Sequence, residues 1–125
     1  MAVLAIDQGT SATKAVVVDD GGAVLGLAEV PVEVQASPDG GVELDPEALW
    51  ASVVAAGQRA ISEAGHPSLA AIGLANQGET ILAWDRATGR PAGPAIVWQD
   101  RRSDSVCQRL ASHGARLAHL TGLEL

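Results

Sequence analysis

Asp7, Gly9, Thr10, Ser11, Thr13 and Lys14 fall within one short stretch, Asp-Gln-Gly-Thr-Ser-Ala-Thr-Lys, between the apolar runs Val3-Leu4-Ala5-Ile6 and Ala15-Val16-Val17-Val18. A carboxylate, a glycine, three hydroxyls and the only lysine of the chain make up a donor set suited to a polyphosphate and a hard cation. Gly9 permits a positive φ and a close approach of backbone N–H groups to an anion. Thr10, Ser11 and Thr13 offer short donors, and Lys14 offers a positive charge. Asp7 can reach magnesium directly or through water. The same residues also suit an ordinary hairpin with a polar turn, and this motif alone leaves both readings open.

The flanking pattern must position that turn. Strands over residues 2–6 and 14–19, rich in Val and Ile, present it at a hairpin tip. Asp19-Asp20-Gly21-Gly22 turns the chain into a third extended run, Ala23 to Val34, with Pro31 near its exposed end. Residues 35–44 carry Ser37-Pro38-Asp39-Gly40-Gly41 and read as a surface loop. Asp45, Pro46 and Glu47 open a helix as N-cap, first position and acidic first turn. Trp50, Val53, Val54, Gly57, Ile61 and Ala64 then share one helical face, which predicts Trp50 in the core and Gly57 against a sheet. Gly65 and Pro67 end that helix.

Leu69 to Leu74 is apolar on both parities, as in a strand covered on both faces. Thr80 to Trp84 and Pro94 to Trp98 read as extended runs about a polar turn at 85–91, with Trp84 in a structural role. A helix over 103–112 is expected to turn Val106, Leu110 and Cys107 inward, with a short apolar segment from Leu117 to Leu125. The order β-β-β-α-β behind a phosphate-type hairpin opens an α/β, ribonuclease-H-like fold, a mixed sheet with flanking helices of the actin-like ATPase superfamily. Such a domain continues with further parallel strands and helices. The reading is therefore residues 1–125 as the N-terminal portion of a first domain in a larger protein.

Bulk properties narrow the function. The chain has 125 residues, 47% hydrophobic and 18% charged, which fits a folded domain and not a disordered one. A net charge of −7, with no basic cluster beyond Arg101-Arg102, argues against a nucleic-acid surface. No apolar run reaches membrane-spanning length, and Met1 leads directly into a strand, so neither a membrane partner nor a secretory signal is expected. The single cysteine, Cys107, forms no internal disulfide, which fits a cytoplasmic setting. His66, His113 and His119 lack ligand-like spacing and read as surface residues.

Three segments resemble the FGGY family of carbohydrate kinases, most closely its glycerol kinases. These are AIDQGTSATKAVVVDDGG, GVELDPEALW, and IGLANQGETILAWDRATGRPAGPAIVWQDRRSDSVC, in that order and with matching intervals over residues 2–123. The resemblance implies ATP and magnesium as cofactors and a small polyol or sugar as the partner molecule, with a homo-oligomer possible. By position it implies Asp7 as the magnesium residue and Gly9, Thr10, Ser11 and Lys14 as contacts to the terminal phosphates. It also implies Glu79 as the carboxylate for substrate hydroxyls, Trp98 as the wall for the carbon chain, and Gly78 in the same substrate segment. Many relatives carry arginine at position 14, so lysine brings a point charge without a bidentate fork. Glycerol kinases usually read NQRET where this chain reads NQGET, and the missing guanidinium leaves a tetritol, pentitol or ketose beside glycerol as substrates. The xylulokinase-like GQMHG pattern is absent.

Gln77 reads as a loop-aligning residue, Arg101 and Arg102 as a solvated helix start or salt bridge, and Asp100 and Asp104 as helix-start carboxylates explained by capping. The general base of the family is an aspartate lying beyond residue 125, so the chain by itself is expected to be inactive. A non-enzymatic nucleotide- or polyol-binding regulatory module is the alternative. A phosphohydrolase of the same superfamily shares the hairpin but does not account for Glu79 and Trp98.

Overall fold

The alternation of small and branched apolar residues in the first strands decides which face is buried. The computed structural model describes residues 1–124. Strand β1, Ala2–Gln8, buries Ala2, Leu4, Ile6 and Gln8 and exposes the residues between them. Strand β2, Ala12–Asp19, buries Thr13, Ala15 and Val17 on the same side. The two pair antiparallel from Ala2↔Asp19 to Gln8↔Thr13, so the hairpin is longer at its tip than the sequence pattern indicates. Strand β3, Val24–Pro31, pairs antiparallel with β2, and Pro31 closes its end as expected. Residues 35–44 are not a plain loop. They hold two short strands, β4, Gln35–Ala36, and β5, Val42–Leu44, around the turn at Ser37.

Helix α1, Pro46–Glu63, starts as its sequence dictates: the Asp45 carboxylate accepts the Glu47 N–H at 3.0 Å. Its buried residues are Ser52, Ala56, Gly57 and Ala60, all small, and they let the helix lie close on the sheet. The tightest point is Gly26 of β3, where an added Cβ would overlap the Ala60 carbonyl. Gly57 does face the sheet, but a Cβ there would meet Ile6 and Leu4 at an ordinary 3.5 Å. The helix ends at Gly65, with both Gly65 and His66 at positive φ.

Strand β6, Leu69–Asn76, joins β1 in parallel and completes a four-stranded sheet in the order β3-β2-β1-β6. Within this sheet and its helix the β-β-β-α-β order is observed, with β4 and β5 intervening before α1. The expected double cover of β6 is not: Ile72 and Leu74 are 65% and 64% exposed. Trp50, expected in the core, is likewise 64% exposed. An apolar hollow of about 320 Å³ runs between α1 and β6, lined by Leu4, Ile6, Trp50, Val54, Ile72 and Leu74 among others. The periodicity of α1 is correct, but Trp50 and Val54 of its apolar stripe are exposed at this open hollow and do not pack in the core.

Beyond β6 the chain is less regular than expected. The Thr80–Trp84 run holds only isolated bridges, Ile81↔Ile96 and Trp84↔Pro91, and Trp84 is exposed. Strand β7, Ala95–Ile96, pairs with β5 and completes a second sheet, β4-β5-β7, over a small core of Leu44, Ala95 and Val97. Helix α2, Asp104–Leu110, buries none of its residues; Val106 and Leu110 are exposed and Cys107 is half-buried. The expected apolar tail is largely a helix, α3, Gly114–Thr121, reached through a 3-10 turn, while Leu125 lies outside the described residues. No helix among the described residues is long and apolar enough to cross a membrane. All three histidines are exposed.

Candidate functional site

The β1–β2 register sets Asp7 directly opposite Lys14, on the sheet face away from α1. Asp7, Gly9, Ser11, Lys14 and Glu29 line a hollow of about 200 Å³ there. The Lys14 ammonium lies 3.9 Å from Glu29, exposed and loosely held, so it is available to a stronger anion. Gly9 does not adopt the expected positive φ. Its N–H donates to the Ala12 carbonyl at 3.0 Å, closing the turn, and a Cβ would sit within 3.0 Å of that carbonyl. Glycine is needed at position 9 for close approach and not for handedness.

The three hydroxyls separate. Thr13 is fully buried on the helix side, 2.7 Å from the Ser52 hydroxyl. Ser52 donates its own proton to the Leu49 carbonyl at 2.7 Å, so Thr13 is the donor of that pair and pins β2 to α1. Thr13 therefore drops out of the anion donor set. Ser11 remains in the hollow, with its carbonyl accepting Val32 N–H at 2.9 Å. The Thr10 hydroxyl accepts the Trp98 indole N–H at 3.0 Å and donates to Gln77 Oε1 at 2.9 Å.

Those bonds join the hairpin to a second hollow of about 670 Å³, lined by Glu79, Ile81, Ile96, Trp98, Asp100 and Arg102 among others. Trp98 is 54% exposed and is a wall of that hollow, not sheet core. Glu79 is held at φ +62°, left-handed backbone that costs a side-chain-bearing residue about 1–3 kcal/mol. Gly78 beside it does not use its glycine freedom: its φ is not positive and an added Cβ would meet nothing within 4 Å. The parallel pairing Gln8↔Asn76 and the bond from Gln77 N–H to the Gln8 carbonyl, at 2.9 Å, set this segment beside the hairpin tip.

Asp100 departs from its expected capping role. Its carboxylate, 8% exposed, accepts Val42 N–H at 2.9 Å and the Arg102 N–H at 3.0 Å, and it pairs with the Arg102 guanidinium at 2.6 Å. Arg102 also reaches Glu43 at 2.7 Å. The salt-bridge expectation for Arg102 therefore holds, and the side-chain hydrogen bond from Arg102 keeps the Asp100 carboxyl far below the usual carboxylate range. Arg101 pairs with Asp104 at 3.6 Å in the first turn of α2. This lock ties the Trp98 segment to β5. Sequence reasoning missed it because Asp100 and Glu43 are far apart in the chain, and it underweighted Gln77 for the same reason.

Among the described residues, no cluster of three or more His, Cys, Asp or Glu could hold a metal unaided. The exposed Asp7 carboxylate, beside an anion-sized hollow, does fit magnesium, which takes one or two carboxylates and completes its shell with water and phosphate oxygens.

The chain matches the FGGY family of carbohydrate kinases, N-terminal domain, over residues 2–125. It is 46% identical to a glycerol kinase of Sinorhizobium fredii over 114 residues, 90% of this chain and 23% of that protein. A glycerol kinase of Bordetella pertussis is 42% identical over 125 residues, 97% of this chain and 25% of that protein. The chain thus spans about a quarter of the length of these relatives. Among solved structures, glycerol kinase from Plasmodium falciparum with ADP superposes with a TM-score of 0.75 at 27% identity, covering 89% of this chain and 23% of that one. Xylulose kinase from Rhodospirillum rubrum gives a TM-score of 0.86 at 20% identity, covering 94% of this chain and 25% of that one, and shows the shared fold alone.

Proposed function

Because the chain belongs to the FGGY family of carbohydrate kinases, we propose that it is the amino-terminal part of an enzyme moving the γ-phosphoryl group of ATP onto a hydroxyl of a polyol or sugar. Glycerol is the leading substrate, as the names of the curated relatives above support. The observation that carries this reading is the bond between the hairpin and the wall of the larger hollow: the Trp98 indole N–H reaches the hairpin hydroxyl of Thr10 at 3.0 Å. A phosphate-type hairpin bonded to the wall of a polyol site can bring a terminal phosphoryl group up to an alcohol oxygen.

Each side chain then has a stated task. Ser11 donates to phosphate oxygens, Lys14 offsets their charge, and Asp7 holds magnesium, which when bound neutralises charge on the phosphates. Trp98 offers its flat face to the C–H groups of the carbon chain. Glu79 accepts hydrogen bonds from the hydroxyls. Phosphoryl transfer asks little covalent work of such groups and much positioning. No residue of this chain is assigned as the base that takes the alcohol proton.

The test is ADP release by the full-length protein with glycerol, tetritols, pentitols and ketoses. The expected result is turnover that depends on one of these alcohols and on magnesium. No phosphoryl transfer to any of them would overturn the reading.

A further inference from the structure

Lys14, the one lysine of the chain, stands between two carboxylates. The β1–β2 register sets it opposite Asp7, and the β2–β3 register sets it opposite Glu29. All three residues are on the exposed face of the sheet, away from α1. Neighbouring strands lie about 4.8 Å apart, so a lysine stem reaches a partner on either side of its own strand. The ammonium turns to Glu29, at 3.9 Å, and among the described residues it makes no pair with Asp7. Glu29 in turn has no other polar partner for its carboxylate among those residues.

Asp7, Lys14 and Glu29 all line the hollow of about 200 Å³ at the hairpin, together with Gly9 and Ser11. Two carboxylates against one ammonium is an unfavourable lining for phosphate. Asp7 has a task there, toward magnesium. Glu29 has none, and its charge repels phosphate oxygens. Yet its single bond is to the cation those oxygens need. To an ammonium, a carboxylate oxygen and a phosphate oxygen are the same kind of partner, a charged acceptor. The Lys14–Glu29 pair is exposed at both ends, 59% and 58%, so it is weak and readily exchanged.

We propose that Glu29 is a built-in competitor for the phosphate oxygens of the nucleotide. It holds Lys14 before the nucleotide enters and yields it on binding. Each binding event then exchanges one ion pair for another, and the net gain from Lys14 is the difference between the two. When ADP leaves, the carboxylate recaptures the ammonium, which stabilises the vacated site and favours product release. Glu29 therefore sets nucleotide affinity through Lys14, as a positioning residue. The inference rests on the kinase reading above.

The test measures the dissociation constant of magnesium-ADP for the full-length protein by calorimetry. Glu29→Gln keeps the shape, removes the charge and should tighten ADP binding about two- to fivefold, the span of an exposed pair. Glu29→Lys should tighten it further. With Lys14→Met already in place, Glu29→Gln should gain less, because no ammonium is left to release. Salt at about 0.5 M should shrink the gain in the Lys14 protein. Unchanged or weaker binding by Glu29→Gln would overturn the inference, weaker binding meaning that Glu29 holds Lys14 in its working place. So would a gain that salt does not touch, or an equal gain beside Lys14→Met, the mark of direct repulsion between Glu29 and the phosphates. Failure of the kinase reading is distinguishable, because the unaltered protein would then bind no ADP at all.

Discussion

Asp7 and Lys14 face each other across the β1–β2 ladder, and neither is committed to a strong partner. Replacing Asp7 by Asn keeps the shape and removes the charge that holds magnesium. We expect turnover of the full-length protein to fall by about 100-fold or more, with an unchanged melting temperature. Calorimetry of melting beside the kinetic assay separates the two. Trp98 packs nothing in the core, so Trp98→Ala should leave stability almost intact and raise KM for the alcohol by about tenfold, the equivalent of about 1.4 kcal/mol of binding, and raise it more than KM for ATP. Gly78 has open space where its Cβ would stand and no positive φ. Gly78→Arg should therefore fold normally and add a donor beside Glu79. The expected readout is a lower KM for glycerol relative to longer alcohols, and an unchanged preference would show that position 78 does not read the substrate.

Helix and sheet approach most closely where two small residues meet. Gly26→Ala forces Cβ into the Ala60 carbonyl, a backbone atom that cannot step aside, and should cost about 1–3 kcal/mol. Gly57→Ala meets only side-chain atoms at 3.5 Å and adds helix propensity, so its melting temperature should hold or rise. The pair of melting curves tests whether crowding or flexibility sets the role of each glycine. Sequence pattern revealed Gly57, because it sits in an apolar helical stripe, but not Gly26, whose crowding comes from a helix more than thirty residues away. The same limit explains the rest. The hairpin, the Asp45 cap and the strand order were legible because they depend on neighbours. The β4–β5 pair, the Asp100–Arg102–Glu43 lock and the Thr10–Gln77–Trp98 chain depend on the tertiary fold. The lock also sets a pH dependence. Asp100 is held below its ordinary value of 3.8 in the folded state, so its contribution is complete above that value and fades as the pH falls through the depressed one. Asp100→Asn should flatten the loss of stability on acidification below about pH 4, measured as melting temperature against pH.

At the scale of the whole molecule, the sheet is finished on one side only. β3 at one edge has Glu63 accepting Leu27 N–H at 2.9 Å, which blunts it. β6 at the other edge has Ile72 and Leu74 exposed, next to Trp50 and Val54 across a hollow with almost no polar lining. Removing such side chains from water yields about 25 cal/mol per Å², a standing incentive to find cover. The 125-residue polypeptide expressed alone should therefore self-associate, as light scattering coupled to size exclusion would record. It should also show no phosphoryl transfer, since no base for the alcohol proton has been assigned within it. Ile72→Lys with Leu74→Glu places opposite charges in the open hollow between α1 and β6 and should return a monomer. If the doubly substituted chain associates as strongly as the original, the uncovered β6 face is not what drives association, and the exposed apolar groups at and beside the second sheet, Ile96, Ile81 and Trp84, become the place to substitute next.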